Sequence, residues 1–305
     1  MYLRQPLLFV LFHAWFYSKM EHRVFEKKDS EMTEQKRFSG YHLKLIALIT
    51  MLIDHIAAVV IWRIYAASFH ITGSMQVSDF IGDKIIVWVA DNQEIIYTIY
   101  EWMRYIGRMA FPIYCFLLVE GFLYTRSVAK YALRLFLFAL VSEIPFDLAI
   151  AGQWWTLEYS NVFFTLVLGL IAVWAVSYIE KFYEFWQEKQ WEPILGMILI
   201  GAAGLVVIAV FGGLAEMVLH TDYGFGGIVA ILILYLFRKQ RELAFALSVL
   251  VLSIITSSTE ILALLMLYPI MRYDGTRGKN IKYVFYAFYP VHLLILAFVC
   301  MGMGV

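Results

Sequence analysis

The chain has 305 residues and a formal net charge of zero, which argues against a nucleic-acid partner or an electrostatic search for a charged one. Apolar residues make up 62% of it and charged residues 16%, and the mean hydropathy is +0.73. Soluble domains are about half apolar and about a quarter charged, so the composition indicates a membrane protein. The two cysteines, Cys115 and Cys300, lie in apolar segments and give no disulfide or metal framework, so no metal site is expected.

The N-terminal segment, residues 1–40, is the one break in composition. Residues 21–40 are polar and charged, and residues 6–17 form an apolar run too short to span a bilayer. No small-residue cleavage site follows that run, which disfavours a signal peptide. Two interpretations stay open: an interfacial helix, or a natural start at Met32. We therefore assign residues 1–40 as a cytoplasmic or interfacial segment and residues 41–305 as a single membrane domain.

Apolar segments of bilayer-spanning length recur through the rest of the chain, since a helix needs about 20 residues to cross. They predict an all-α, polytopic membrane helix bundle with about nine transmembrane helices. The predicted spans are 41–63, 105–125, 131–150, 160–179, 193–219, 222–238, 242–257, 258–271 and 283–304. The seventh and eighth are short and are joined by Thr256-Ser257-Ser258-Thr259, so they are either two crossings or one re-entrant hairpin.

Basic residues fall in alternate loops, which indicates the orientation of the bundle. They are Lys36, Arg37, Arg126, Lys130, Lys181, Lys189, Arg238, Lys239, Arg241, Arg272, Arg277, Lys279 and Lys282. The pattern predicts a multi-pass protein of the cell membrane with a cytoplasmic N-terminus and an external C-terminus. The longest loop, residues 64–104, is then external, and its second half is predicted to be a helix lying along the membrane surface.

Ionisable and polar side chains concentrate in the outer half of the predicted bundle, although each costs a few kcal/mol at bilayer depth. The outer group comprises Asp54, His55, Arg108, Glu143, Asp147, Asn161, Glu216, His220 and Asp222, and His292 enters the ninth span at middle depth. Lys44, Glu120 and Arg134 lie near the cytoplasmic boundary. A cluster of this kind predicts a functional site facing a cavity or partners within the bundle.

Several of these residues also have a purely structural interpretation. Arg108 with Glu143 or Asp147 forms a plausible ion pair between helices, and His292 a plausible core histidine. Glu120 and Arg134 are suited to reaching the cytoplasmic surface with their long side chains. The adjacent acid and base Asp54-His55 at mid-membrane is harder to explain by packing.

Motifs along the whole membrane domain resemble those of one family. They are Lys44-Leu-Ile-Ala, Met51-Leu-Ile-Asp54-His55-Ile, Gly107-Arg108-Met-Ala-Phe-Pro112-Ile, Glu120-Gly121-Phe, Arg134, Ser142-Glu143-Ile-Pro145-Phe-Asp147, Asn161-Val-Phe-Phe-Thr165, Asp222-Tyr223-Gly224 and Tyr289-Pro290-Val-His292. In order and spacing they resemble TraX-type proteins, integral-membrane relatives of the factor that N-acetylates conjugative pilin. Ala57 departs from the glycine expected after Asp-His-Ile, which weakens close packing there.

The resemblance implies an acyltransferase, most simply an acetyltransferase that uses cytoplasmic acetyl-CoA and an external acceptor. The acceptor is a protein N-terminus, a glycan or a lipid headgroup, and membrane lipids are further partners. Acyl transfer needs a base and a stabiliser of the oxyanion. We predict His55 as the base, with Asp54, Glu143 or Asp147 orienting it, and Arg108 as stabiliser or donor ligand. A covalent acyl-histidine intermediate stays open as the alternative to direct transfer. Substrate-binding candidates are Asn161, Glu216, Asp222 and His292, and candidates for the coenzyme A phosphates are Lys44, Arg126 and Arg134.

Two other functions fit the same residues. A proton-coupled transporter or flippase would use the buried acids and histidines as a proton relay. Transporters often carry inverted repeats, and neither a repeat nor an even number of spans is visible here. A purely structural subunit would leave the outer polar cluster without a role.

Overall fold

The protein is described here from a computed structural model that covers residues 38–69, 81–156, 158–189, 193–279 and 282–305. The interpretations offered for residues 1–37 lie outside the described residues. Within these ranges the chain is helical apart from turns and two isolated β-bridges, Phe38–Tyr273 and Ser160–Thr221. The all-α prediction is confirmed for the part of the chain that the structure describes.

The helices follow one another with short connections. They are α1 (Gly40–His55), a π-helical segment (Ile56–Ile61), α2 (Trp62–Ser68), α3 (Ile81–Asp91), α4 (Gln93–Gly107), α5 (Ala110–Tyr124), α6 (Val128–Ile150), α7 (Val162–Glu188), α8 (Pro193–Gly213), a second π-helical segment (Leu214–Val218), α9 (Gly224–Leu236), α10 (Arg241–Ile255), a 3₁₀ helix (Ser258–Met266), α11 (Leu267–Met271) and α12 (Lys282–Met303).

Five helical stretches in the described residues are long and apolar enough to cross a membrane. They are Gly40–Ser68, Gln93–Tyr124, Val162–Glu188, Ile194–Val218 and Tyr283–Met303. The other predicted spans are also helical, but α6 carries several charges and α9, α10 and the 3₁₀ helix with α11 are short. The chain is thus an integral membrane protein, and the count of nine crossings stays a prediction.

The first two spans are longer than the sequence indicated. The first helical stretch continues to Ser68, and the second begins at Gln93 instead of residue 105. The two stretches are antiparallel, because Gln93 donates a hydrogen bond to Ser68 at one end and Arg104 pairs with Asp54 further along. The second half of the 64–104 segment is helical, as predicted, but residues 93–104 belong to the second candidate span and not to a separate helix along the membrane surface. Arg104, a charge within that helix, is paired with Asp54.

One end of the bundle collects most of the basic loops, and we call it the basic end. Backbone hydrogen bonds join Phe38 to Arg272 and Gly40 to Thr276, which fixes the 272–279 loop to the start of α1. Two ion pairs, Arg241–Glu120 and Arg238–Glu180, lie at the same end. The grouping agrees with the alternate-loop pattern, whereas the side of the membrane that this end faces stays a prediction.

Helices α10 and α11, with the 3₁₀ helix between them, form a hairpin that starts and finishes at the basic end. α10 has 15 residues, about 22 Å, and the nine-residue 3₁₀ helix covers about 18 Å. Its turn meets the first turn of α9, since a Cβ added to Gly226 would overlap the Thr256 hydroxyl. The hairpin thereby ends inside the bundle, beside the start of α9.

Gly107 is where α4 approaches α1 most closely, because a Cβ added there would overlap the Asp54 carboxylate and Cβ. We expect Gly107→Ala to lower the free energy of unfolding by about 1–3 kcal/mol through overpacking. The measurement is thermal unfolding in detergent followed by tryptophan fluorescence. Gly213→Ala is the matched control, since nothing lies within 4 Å of a Cβ at that position. Equal melting of the two variants would contradict this close packing.

Candidate active site

Two predicted site residues on α6 hold a non-helical segment in place. After α6 ends at Ile150 the chain folds back along it, and the Asp147 carboxylate accepts a hydrogen bond of 2.9 Å from the Thr156 backbone N–H. One helical turn earlier, Glu143 accepts hydrogen bonds from both the backbone and the side-chain amide of Asn161. The carboxylates of Glu143 and Asp147 therefore bind amide groups of the protein itself, and the prediction that one of them orients His55 was wrong.

Asn161 is the N-cap of α7, not a free substrate ligand. Its side-chain oxygen accepts from the Phe163 N–H at 3.0 Å, and its amide also donates to the Ala139 carbonyl at 2.8 Å. Every polar atom of this fully buried side chain is thus engaged. The preference of asparagine for the cap position explains the motif Asn161-Val-Phe-Phe structurally.

Glu216 has a comparable role at the start of α9. Its carboxylate accepts a hydrogen bond of 3.0 Å from the Phe225 N–H, one of the backbone donors that a helix start leaves unpaired. Gly224 stands against the same carboxylate with a φ of +44°, a conformation that glycine adopts without strain. The predicted substrate ligand Glu216 is therefore a capping residue.

Asp54 lies opposite Arg104 and not against His55. The Arg104 Nη1 is 2.6 Å from the Asp54 Oδ2, and the two side chains are 25% and 19% exposed. Adjacent helical residues point about 100° apart, so Asp54 faces α4 while His55 faces α12. The prediction that Asp54 orients His55 was thus wrong. Arg104 is a site residue that the sequence analysis missed.

Arg108 pairs with the hairpin. Its Nη1 is 3.2 Å from the Oε1 of Glu260, which is fully buried at the start of the 3₁₀ helix. Arg108 also interacts with the Tyr223 hydroxyl, and Tyr223 stacks on Phe111 with ring centroids 3.5 Å apart. The proposed pairing of Arg108 with Glu143 or Asp147 was therefore wrong.

Asp54, Arg104, Arg108, Asp222, Tyr223 and Glu260 form what we call the charged cluster. Asp222 interacts electrostatically with both arginines and with Asp54 and Glu260. The cluster contains three carboxyl groups and two guanidinium groups. The Asp54 Oδ1 and the Glu260 Oε2 are buried and have no hydrogen-bond partner among the described residues. A buried carboxylate oxygen of this kind is suited to a ligand that donates hydrogen bonds.

The two missed residues, Arg104 and Glu260, carry a weak signal in the sequence. Arg104 is four residues before Arg108, on the same helical face if the helix extends back to Gln93. The apolar hairpin comprises residues 242–271. Glu260 is its one acidic residue besides Glu242, which stands at its start. The long-range contacts that bring them to Asp54 and Arg108 have no local signature.

His55 and His292 meet at the centre of the bundle. The Nδ1 of His55 is 2.6 Å from the Nε2 of His292, and the Nδ1 of His292 is 2.6 Å from the Phe288 carbonyl oxygen. His55 is the last residue of α1, at the junction with the π-helical segment, an irregularity frequent at functional sites. His55 also interacts with Arg104, which connects it to the charged cluster.

The three residues predicted to bind the coenzyme A phosphates lie in different parts of the structure. The Lys44 Nζ lies 5.7 Å from the Phe285 ring centroid and interacts with Arg277, near the basic end. Arg134 lies over Tyr131 at 5.8 Å and donates to the Tyr286 hydroxyl, on another side of α12. Arg126 is exposed between α5 and α6. These three residues therefore do not form one contiguous pocket among the described residues.

In the described ranges, no group of three or more histidine, cysteine, aspartate or glutamate side chains is arranged to hold a metal ion. The histidine nitrogens at 2.6 Å are a hydrogen-bonded pair.

These features define an integral membrane protein in which a histidine pair adjoins a charged cluster inside an all-helical bundle. The sequence profile described as TraX protein matches residues 39–300, and the chain belongs to that family. It is 27% identical over 294 residues to a protein named probable fimbrial assembly protein FimC, serogroup H1, from Dichelobacter nodosus. The match covers 87% of this chain and 97% of that relative. No solved structure matches the chain.

Removing the Arg108 guanidinium leaves the fully buried Glu260 carboxylate without its cation. We expect Arg108→Met to lower the free energy of unfolding by about 3 kcal/mol, as for other broken buried pairs. The double variant Arg108→Met, Glu260→Gln removes both charges and is expected to recover most of that loss. A double-mutant cycle on thermal stability in detergent measures the coupling. Additive effects of the two single substitutions would contradict the ion pair.

Proposed function

We propose that this protein is a membrane-embedded acyltransferase that moves an acetyl group from acetyl-CoA to an amine or hydroxyl acceptor. The observation that carries the proposal is the His55 imidazole, partly exposed at the centre of the bundle and adjoining the charged cluster. Membership of the TraX family supports it, since that family is associated with pilin modification.

His55 acts as the general base. It takes a proton from the acceptor as the nucleophile attacks the thioester carbonyl, and a tetrahedral oxyanion forms. When the carbon–sulfur bond breaks, the imidazolium returns that proton to the departing thiolate, which leaves as the free thiol of coenzyme A. Arg104 or Arg108 stabilises the oxyanion, because a guanidinium held in a water-poor site needs little reorganisation as charge develops.

The charge balance of the cluster favours an amine as acceptor. With all groups ionised, the carboxylates of Asp54 and Glu260 and the exposed carboxylate of Asp222 face two guanidiniums, which leaves one negative charge uncompensated. A primary ammonium supplies the missing positive charge and donates hydrogen bonds to the free oxygens of Asp54 and Glu260. A free oxygen of Asp54 or Glu260 takes the first proton of the ammonium, which leaves a neutral amine. His55 takes the second proton as the amine attacks and returns it to the thiolate.

The donor enters from the basic end, where Lys44 and Arg277 are available for its phosphates. Lys44 and His55 are eleven residues apart on α1, about 16 Å along the helix axis. The nucleotide therefore stays at the basic end, and the flexible arm that carries the acetyl group reaches His55. The acceptor approaches from the opposite face. Because the D. nodosus relative is named a fimbrial assembly protein, a fimbrial subunit with a free N-terminus is the first acceptor to test.

The test uses purified protein in proteoliposomes with radiolabelled acetyl-CoA and a peptide copy of a fimbrial N-terminus. We expect His55→Ala to lower the transfer rate by about 10²–10⁴-fold, the usual contribution of a general base, while the variant stays folded. The matched control is His220→Asn, since His220 is exposed in a loop at φ +43°, a conformation that asparagine tolerates. Transfer by His55→Ala within a few-fold of wild type would remove His55 from the mechanism.

The free carboxylate oxygens of Asp54 and Glu260 also fit a proton relay, as a transporter or flippase needs. The same proteoliposomes separate the two functions. Acetyl transfer that is insensitive to an imposed pH gradient favours the enzyme. Absence of transfer to any acceptor, together with gradient-driven uptake of a peptide or lipid, favours transport.

A further inference from the structure

The two histidines form a directional chain of hydrogen bonds that ends on the backbone. A carbonyl oxygen only accepts hydrogen bonds, so the Nδ1 of His292, 2.6 Å from the Phe288 oxygen, carries a proton. In a neutral His292 the Nε2 is then the acceptor. The Nδ1 of His55, 2.6 Å away, must donate to it. The Nε2 of His55 is left with its lone pair free.

A neutral His292 is the form that its surroundings support. The residue is 5% exposed, and its described interactions are with the backbone of Phe288 and Tyr289, with aromatic rings and with His55. None of these interactions is with a charged group, and the guanidinium of Arg104 interacts with His55. A buried imidazolium without a carboxylate beside it is unfavourable.

The packing around the pair holds both rings in one orientation. The His292 ring stacks on Phe288 with centroids 4.7 Å apart. It meets the His55 ring edge to edge, with the two ring planes 25° apart, as the hydrogen bond between their nitrogens requires. Tyr289 lies edge-on to both imidazoles at 5.7 and 5.8 Å. Further along, the Cys300 thiol approaches the Val59 carbonyl at 3.7 Å, which joins α12 to the π-helical segment that follows His55.

We infer that His292 is a positioning residue, which fixes His55 in the tautomer whose Nε2 is the base. This inference rests on the proposed function. His292 does not touch the reacting atoms; it accepts the Nδ1 proton of His55 and continues to do so when His55 gains a second proton at Nε2. The hydrogen bond therefore stabilises the imidazolium that forms during attack, in the way that the buried carboxylate does in serine hydrolases.

The first measurement is the tautomer of His55 in the full chain without any acyl donor. Protein labelled with ¹⁵N-histidine is examined by solid-state NMR in lipid, and the His55 signals among the seven histidines are assigned by comparison with His55→Ala. We expect the Nδ1–H form in wild type and a shift to the Nε2–H form, which a histidine side chain in water prefers, in His292→Leu. A wild-type His55 protonated at Nε2 would overturn the inference.

The second measurement separates positioning from a purely structural role. We expect His292→Leu to lower kcat at least tenfold with an unchanged KM for acetyl-CoA. His292→Gln is expected to restore part of the rate, because its amide oxygen can accept the Nδ1 proton. Equal activity of the two variants, at melting temperatures close to wild type, would contradict positioning.

The two measurements also keep this inference distinct from the proposed function. If wild type transfers no acetyl group, the proposed function fails and the NMR result still reports the tautomer. If His55→Ala abolishes transfer while His292→Leu keeps full kcat, the function stands and the positioning role is wrong.

Discussion

The ion pair between Asp54 and Arg104 is the interaction on which the arrangement of this bundle depends. Asp54 is in the fifteenth position of the 29-residue helical stretch that begins at Gly40, so its carboxylate lies deep between helices. A charge at that depth is tolerated only against an opposite charge or strong donors. Pairing with Arg104 draws α4 alongside α1 and requires glycine at position 107, where the two backbones approach. The same contact leaves the neighbouring His55 directed at α12.

Carboxylates inside the bundle divide into two kinds by what they bind. Glu143, Asp147 and Glu216 accept hydrogen bonds from backbone N–H groups and thereby hold turns and helix starts. Asp54 and Glu260 instead meet guanidinium groups through one oxygen each. One oxygen each of Asp54, Glu260 and Asp147 has no hydrogen-bond partner among the described residues. What sets Asp54 and Glu260 apart is therefore the guanidinium beside each carboxylate, not the free oxygen alone.

The sequence predicted the helical class and the membrane location, because apolar run length is a local signal, and it singled out His55 through the adjacent acid and base. It could not predict that Asp54 contacts α4 while His55 contacts α12, since that depends on which helices pack on either side of α1. A helix was predicted before residue 105, but its continuity with the second span was not, because Arg104 resembles a surface charge until Asp54 is found opposite it. Glu260 was missed for the same reason. The π-helical segment after His55 has no recognised sequence signature and emerged only from the backbone.

The proposed acyl transfer rests on family membership and on the geometry of the histidine pair, and its central claim is that the protein binds an acyl-CoA donor. The most direct test is the melting temperature of the detergent-purified protein with increasing acetyl-CoA. A donor at a hundred times its dissociation constant should stabilise the fold by about 2.7 kcal/mol. The account predicts a saturable rise in melting temperature, larger than with free acetate or ATP. No rise with any acyl-CoA would contradict it and would favour transport.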